Sequence, residues 1–216
     1  MTASDLIAIL RLGDSAFPSG GFAFSSGLEG AVRDGFVVHE ADVLAFAEEA
    51  VTGRWHTMDR VLLRCAWTDP FRADRLAEAS SAISTLREAS RRAGAALLST
   101  FASLGTTGVV DYRGDVLRGS TPGHLPVAQA VCYQGNGLRM VDAEAVGGWH
   151  VLAGIASAAL RLGVTGHLGS QRIMESAGPV LASTLERLPD KEPSSFTAFA
   201  DIAAQRRGDG IRLFAS

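Results

Sequence analysis

Apolar residues recur at helical spacing along most of this chain, rather than in the strict alternation that marks half-buried strands. The clearest amphipathic run extends from Glu40 to about Trp55. Its apolar face would carry Val43, Leu44, Ala47, Ala50 and Val51. Longer helices are predicted from about Ser80 to Leu104, and from Asp142, a good N-cap, to Leu162. Because β-branched runs are few and no repeat of fixed period occurs, the pattern predicts an all-α fold.

Shorter helices are predicted between these runs. They would extend from an Asp5 cap to Gly13, from Phe22 to Asp34, from Thr57 to Ala66, from Pro70 onwards, from Pro126 to Tyr133, from about Gly169 to Leu188 with a kink or break at Pro179, and from Ser195 to about Arg206. Residues 105–122 contain four glycines and a proline, so they are predicted to form a loop, with a short strand or hairpin over Val109 to Leu117 as the alternative.

The length of 216 residues suits one hydrophobic core, so residues 1–216 are expected to form a single-domain bundle of about eight to ten helices. Gly208 is expected to release a C-terminal tail, 208–216, at a place where disorder is ordinary. The tail nevertheless holds apolar residues, which can tuck into the chain's own core or dock on another chain. Docking on another chain is the favoured interpretation.

Composition and charge restrict the partners. Hydrophobic residues make up 47% of the chain and charged residues 20%, which is ordinary for a globular protein. The formal net charge of −3 lacks the basic excess needed to neutralise phosphates, so no nucleic-acid partner is expected. Lys191 is the one lysine. The other cations are arginines, which suit planar contacts at interfaces or reflect the codon usage of a GC-rich genome.

Membrane and redox features point to the cytoplasm. The start of the chain, MTASDLIAILRLGDS, lacks the basic residues and long apolar core of a secretory signal. The uncharged stretch from Ala145 to Leu160 is too short and too rich in small residues to cross a bilayer comfortably, so a buried helix is predicted. Cys65 and Cys132 have no CxxC partner and are expected to be buried free thiols. We therefore expect a cytoplasmic protein without a membrane partner.

Catalytic motifs are not evident. No two of the five histidines have i, i+3 or i, i+4 spacing, and each is expected at a surface or interface, except that His150 on an apolar helix suits a hydrogen-bonded core position. A metal site assembled from distant histidines stays open. The segment PSGGFAFSSGLEG lacks the GK[ST] of a P-loop, and no strand precedes it as a Rossmann fingerprint requires. No cofactor, metal or catalytic residue is predicted, so binding is favoured over catalysis.

The stretch from Leu10 to Val37, LRLGDSAFPSGGFAFSSGLEGAVRDGFV, resembles the N-terminal signature of the UreF family of urease accessory proteins. The matching positions are Pro18, Gly20, Gly21, Phe22, Ser25, Gly27, Leu28, Glu29, Ala31, Val32 and Gly35. Similar stretches follow at Leu86 to Ser90 with Gly94 and Leu97-Leu98, at Gly123 to Val127, at Ala159 to Leu162 with Gly166, Gln171 and Arg172, and at Ala200 to Ile202 and Arg212 to Phe214 with Ser216. The resemblance covers essentially the whole chain, with departures at Ala23, Phe24, His167 and Arg206 to Gly208.

This resemblance implies an all-α, dimeric protein that does no chemistry itself. Such a protein binds UreD (also called UreH), recruits the GTPase UreG to the urease apoenzyme, and couples GTP hydrolysis to nickel insertion. A partner-facing surface would include Pro18, Gly20, Gly21, Phe22, Ser25 and Glu29. In the tail, Arg212, Leu213 and Phe214 would engage UreD or help to present the surface for UreG.

Several alternatives stay open at this point. The residues around Pro18 can simply shape a turn, and Phe22 with Phe24 can belong to the core. The whole chain can instead be a helical hydrolase or small-molecule-binding bundle centred on His124 or His150. It can also be a helical adaptor unrelated to nickel.

Overall fold

The computed structural model describes residues 2–19 and 25–194, and within these ranges it contains helices and loops without a strand. The helices are α1 Ala3–Gly13, α2 Leu28–Arg33, α3 Glu40–Glu49, a π-helix Ala50–Asp59, α4 Arg60–Ala66, α5 Pro70–Ser80, α6 Ser84–Ser103, α7 Val109–Leu117, α8 Leu125–Gly135, α9 Met140–Arg161 and α10 His167–Glu186. Because α3, the π-helix and α4 follow one another without a break, the described residues form nine separate helices. The predicted all-α class and the range of eight to ten helices are confirmed.

Helix α9 lies at the centre of the bundle. Its first half contributes Ala143 and Val146 to one apolar cluster, which α1 and α4 to α8 complete. Its second half contributes Leu152 and Ile155 to another, shared with α2, α3, the π-helix and α10. By length and composition α9 is the one helix of the described residues that could cross a membrane, but 56% of its most apolar stretch is buried inside the protein. It therefore packs as a core helix, as predicted for Ala145 to Leu160.

The π-helix interrupts the α-helical pattern inside a continuous rod from α3 to α4. The sequence predicted a break between Trp55 and Thr57, but the chain stays helical there with wider turns. The hydroxyl of Thr52 donates to the carbonyl oxygen of Glu48 at 2.8 Å, and the hydroxyl of Thr57 donates to that of Gly53. Such back-bonding bends helices locally. The spacing of apolar residues changes here, and the sequence pattern therefore predicted the end of a helix. The chain instead continues as a helix with wider turns.

Arg60 joins this rod to the end of α10 and to α9. It donates to Glu144 at 2.9 Å, and both side chains are only 2% exposed. It also donates to three carbonyl oxygens at the end of α10, those of Thr184, Leu185 and Arg187. A helix C-terminus leaves carbonyl groups without intrahelical partners and attracts cations. One guanidinium therefore terminates α10 and holds three elements together.

Helix α7 contradicts the prediction of a loop or hairpin between residues 105 and 122. Gly108 and Gly119 adopt left-handed conformations with φ of 76° and 75°, but they bracket the segment instead of breaking it. Between them Val109 and Tyr112 are buried and lie one helical turn apart. The glycines that suggested an irregular loop therefore mark the two ends of a short helix.

Two predicted caps are displaced by one turn. Thr2, and not Asp5, is the N-cap of α1, and the two residues form a reciprocal capping box. Arg139 is the N-cap of α9, while Asp142 lies in its first turn and accepts from the Arg139 guanidinium at 2.7 and 2.8 Å. In both cases the acidic residue occupies the third helical position, where its charge also favours the helix N-terminus.

Other predicted boundaries shift as well. Helix α2 begins at Leu28, because Ser26 and Gly27 before it have left-handed backbones with φ of 52° and 89°. Helix α6 begins at Ser84 instead of Ser80. Pro179 lies inside α10 without ending it. The predicted helix from Ser195 to Arg206 lies outside the described residues.

Candidate partner-binding site

The predicted N-terminal site residues take different environments. Pro18 is exposed, and its carbonyl oxygen accepts from the Thr100 hydroxyl of α6 at 3.2 Å. Ser25 is wholly buried, and its carbonyl oxygen accepts from the Leu28 amide at 2.9 Å where α2 begins. Glu29 is half-buried in the first turn of α2. Gly20, Gly21 and Phe22, together with Arg212, Leu213 and Phe214, lie outside the described residues.

A cleft of about 90 Å³ lies beside this segment. Ser19 and Ser26 both line it, so the segment borders the cleft at both of these positions. The remaining walls come from the π-helix, α6, α8 and α9. The volume corresponds to about three water molecules. Ser90 and Leu125, from two further stretches of the family resemblance, also line the cleft, so three of those stretches meet there.

Glycine and serine allow α6 to approach the start of α8 closely. A methyl group on Gly94 would collide with the carbonyl oxygen of Gly123. One turn earlier, the hydroxyl oxygen of Ser90 accepts from the Leu125 amide at 3.1 Å and lies 3.3 Å from Nδ1 of His124. These contacts explain why α6 needs small residues at this place, independently of any partner.

His124 is buried, contrary to the expectation of a surface or interface position. Its Nε2 lies 2.9 Å from Oε2 of Glu78, which also pairs with Arg91 and Arg87. Burial alone would raise the pKa of Glu78, but the hydrogen bonds from Arg91 and His124 outweigh it and lower that pKa. His124 therefore serves an internal polar network.

Asp74 of α5 holds the segment that leads into α8. Its carboxylate is fully buried and accepts four hydrogen bonds. The donors are the hydroxyls of Tyr112 at 2.8 Å and Thr121 at 2.6 Å, and the amides of Gly123 at 2.6 Å and His124 at 2.9 Å. Burial and the adjacent carboxylate raise the pKa of Tyr112. Nothing in the sequence singled out Asp74, because its partners lie 38 to 50 positions away.

Two side chains of α9 fix the end of α1. Trp149 Nε1 donates to the carbonyl oxygen of Gly13 at 3.1 Å, and His150 Nε2 donates to that of Leu12 at 2.8 Å. Since a carbonyl oxygen only accepts, the proton of the neutral ring lies on Nε2, and Nδ1 accepts from the Tyr133 hydroxyl at 3.4 Å. Burial lowers the pKa of His150. His150 is thus hydrogen-bonded on both nitrogens, as its place on an apolar helix suggested.

Among the described residues that line the cleft, the charged ones are Arg54 and Asp59, and both belong to the π-helix. Arg54 Nε lies 3.8 Å from Oδ2 of Asp59, and both residues line the cleft. Burial raises the pKa of Asp59, and the nearby Arg54 only partly opposes this effect. A carboxyl group with a raised pKa in a cleft is a feature of functional sites and of structural ion pairs alike.

The described residues contain no group of three His, Cys, Asp or Glu side chains that could hold a metal ion. Both cysteines are free. Cys132 is buried, and burial raises its pKa. Cys65 is only partly buried, contrary to the prediction, and burial raises its pKa as well. The described site is a packed, hydrogen-bonded junction beside a small, mainly apolar cleft that holds the Arg54 and Asp59 pair.

Comparisons with known proteins match this chain over most of its length. A family model described as UreF matches residues 37–178, which hold every helix from α3 to α9 and most of α10. The urease accessory protein UreF 1 of Brucella melitensis is 29% identical over 222 residues, which cover 97% of this chain and 92% of that protein. UreF of Trichodesmium erythraeum is 29% identical over 217 residues, covering 93% and 91%. UreF of an Arthrobacter species is 29% identical over 199 residues, covering 89% and 87%.

Proposed function

This chain belongs to the UreF family of urease accessory proteins, and from that premise we propose that it acts as a non-catalytic scaffold in urease maturation. The observation that carries the proposal is the family match over residues 37–178, together with relatives named as urease accessory proteins along nearly the whole chain.

The scaffold brings together the other components of urease maturation. With UreD (UreH), a homodimer of this chain in the cytoplasm recruits the GTPase UreG to the urease apoenzyme. GTP hydrolysis by UreG is then coupled to nickel insertion. This description follows from the resemblance of the N-terminal, central and C-terminal stretches to the family.

The segment from Pro18 to Glu29 is the first proposed contact surface. Pro18 is exposed and hydrogen-bonded to α6, so it can touch a partner without losing its position. Ser25 is buried and Glu29 half-buried, so they act by shaping the backbone at the start of α2. By resemblance, Gly20, Gly21 and Phe22 belong to the same surface.

The tail is the second proposed contact surface. Arginine and aromatic residues are enriched in interface hot spots, which suits Arg212 and Phe214 on either side of Leu213. The tail would engage UreD or help to present the surface that UreG binds.

Co-purification tests this proposal. Tagged chain is expressed with UreD and UreG of the same organism and separated by size-exclusion chromatography. The variants are Pro18→Glu, Arg212→Glu and a chain lacking 208–216. The control is Lys191→Glu, which changes the charge of an exposed residue outside the resembling stretches.

Each outcome has a direct meaning. A ternary complex that forms with wild type and the control, but loses a partner with the tail or Pro18 variants, supports the scaffold and locates its contacts. If the complex forms equally well with every variant, the scaffold function stands, but the two proposed contact surfaces are wrong. Well-folded components that form no complex would overturn the proposal.

A further inference from the structure

A second concavity, of about 710 Å³, is lined by none of the sequence stretches quoted above for the resemblance. It opens between the turn that joins α4 to α5, the helix α7 and the end of α8. A volume of this size is typical of sites that bind a small molecule or a few side chains. We call it the acidic groove, because its described charged lining residues are Asp111 and Asp115.

The two aspartates lie one turn apart on α7, so their carboxylates share a face of the helix. Asp111 is exposed. Asp115 pairs with Arg118 at 2.8 Å, and the Arg118 side chain is 67% exposed. Exposed pairs of this kind contribute little to stability, so another cation can replace Arg118 at small cost.

The groove also has aromatic lining residues. They are Trp67 and Phe71 beside the turn from α4 to α5, and Tyr112 on α7. The rings of Phe71 and Tyr112 meet edge to face with centroids 5.7 Å apart, and Phe71 remains 39% exposed. A guanidinium group stacks on aromatic faces while it donates to carboxylates. The groove therefore suits a segment that carries arginine beside apolar residues.

The chain itself contains such a segment. Residues 206–214 lie outside the described residues and read RRGDGIRLF. They hold three arginines, one aspartate and the apolar residues Ile211, Leu213 and Phe214. Their net charge is opposite to that of the groove, and their apolar residues match its aromatic side chains. We propose that, in the isolated protein, this segment docks in the acidic groove of its own chain.

The path of the chain allows this docking. The amide of Ser194, the last described residue, donates to the carbonyl oxygen of Thr57 at 2.9 Å. From Thr57 the rod continues to Ala66 at the edge of the groove, a distance of roughly 13 Å along a helix. Arg206 lies 12 positions after Ser194, which allows an extended span of up to about 40 Å. The segment reaches the groove with ample slack.

Disulfide trapping in the full chain tests the proposal. Thr107→Cys places a thiol on the exposed rim of the groove, and Ala215→Cys places one beside the docking segment without changing it. Both are made in a Cys65→Ser background, and Cys132 is buried. Ser176→Cys with Ala215→Cys is the matched control, because Ser176 is exposed on α10. Cross-links are quantified by peptide mass spectrometry after mild oxidation.

We expect the groove pair to form its intramolecular disulfide at least about tenfold faster than the control pair, because docking raises the effective concentration of the thiols. Replacing Arg206, Arg207 and Arg212 with glutamate should reduce this rate to that of the control. These three changes lie in the docking segment itself, so they leave the groove intact. Replacing Asp111 and Asp115 with arginine should have the same effect.

Three results would overturn the proposal: equal rates for the two pairs, a fast rate that survives the charge reversals, or cross-links that form only between two chains. The experiment uses the isolated protein, so its failure leaves the scaffold function untouched. Conversely, a failure to bind UreD or UreG would not alter the trapping rates.

Discussion

The α-carbon of Gly94 lies so close to the carbonyl oxygen of Gly123 that no side chain fits between them. Gly94 belongs to α6 and Gly123 precedes α8. This contact, with the hydrogen bond from Leu125 to Ser90, fixes the wall of the cleft beside the N-terminal segment. The fit at these two glycines is therefore a condition for the shape of the candidate partner-binding site.

Gly94→Ala should destabilise the protein by about 1–3 kcal/mol, because backbone must move to relieve the collision. Urea denaturation measures the change. Gly154→Ala on α9 is the matched control, since a methyl group there meets nothing within 4 Å. Because alanine favours the helix more than glycine does, the free energy of unfolding of Gly154→Ala should stay the same or rise by up to about 1 kcal/mol. Equal stabilities for the two variants would refute the packing argument.

Asp74→Ala should cost at least about 3 kcal/mol, because it leaves four buried donors without their acceptor. Tyr112→Phe removes only one of these hydrogen bonds and should cost about 1 kcal/mol. Chemical denaturation of both variants gives the comparison. If Asp74→Ala were no more damaging than Tyr112→Phe, the carboxylate would not hold the 121–124 segment as described.

Glu144→Ala should cost about 3–5 kcal/mol, because the buried Arg60 loses its counter-charge. Arg118→Ala, which breaks an exposed pair with Asp115, should cost only about 0–1 kcal/mol. Replacing Arg60 with Met and Glu144 with Leu together should recover part of the loss, since no buried charge then remains unpaired. A small effect of Glu144→Ala on the urea midpoint would contradict this account.

The free energy of unfolding should fall as the pH drops below about 6.5, and protonation of His150 in the unfolded chain causes part of this fall. Burial holds the pKa of His150 below its ordinary value of 6.5 in the folded protein, so the unfolded chain takes up the proton first. The loss begins near pH 6.5 and levels off below the folded pKa. Burial and Arg60 lower the pKa of His56 in the same direction, so the wild-type slope contains both groups.

His150→Gln isolates one contribution to this slope. The variant keeps a donor for the Leu12 carbonyl oxygen but has no titrating group, so its thermal midpoint should fall less steeply between pH 7 and pH 5. Parallel pH profiles for variant and wild type would show that His150 does not titrate differently in the two states.

Helical periodicity predicted the class of the fold and most long helices, because amphipathic faces are local patterns. It failed at α7, where the nine residues of the helix include only Val109 and Tyr112 as buried residues. A window of that length gives too few apolar positions to outweigh the turn residues around it. It also failed at the π-helix, because its wider turns do not follow the α-helical period.

The site was only partly predictable for a related reason. The resemblance identified Pro18, Ser25, Ser90, Gly94 and Gly123. The structure packs Gly94 against Gly123 and hydrogen-bonds Ser90 to the next part of the same stretch, Leu125. Asp74 and Glu144 carried no recognisable signal, since their partners lie far away in sequence. The acidic groove likewise joins residues from three separate elements, whose proximity depends on the packing of α7.

The contacts of Arg60 impose an order on how the protein can be completed during synthesis. Glu144 is made 84 positions after Arg60, and Arg187, which supplies a carbonyl oxygen, 127 positions after it. At about 5–20 residues per second, a ribosome needs roughly 6–25 seconds to add that stretch. Until then the guanidinium has only His56 and the Trp55 ring, and later Glu144, as internal partners, and it lacks the carbonyl oxygens at the end of α10. The native hydrogen bonds of Arg60 can therefore be completed only after the last residues of α10 have been synthesised.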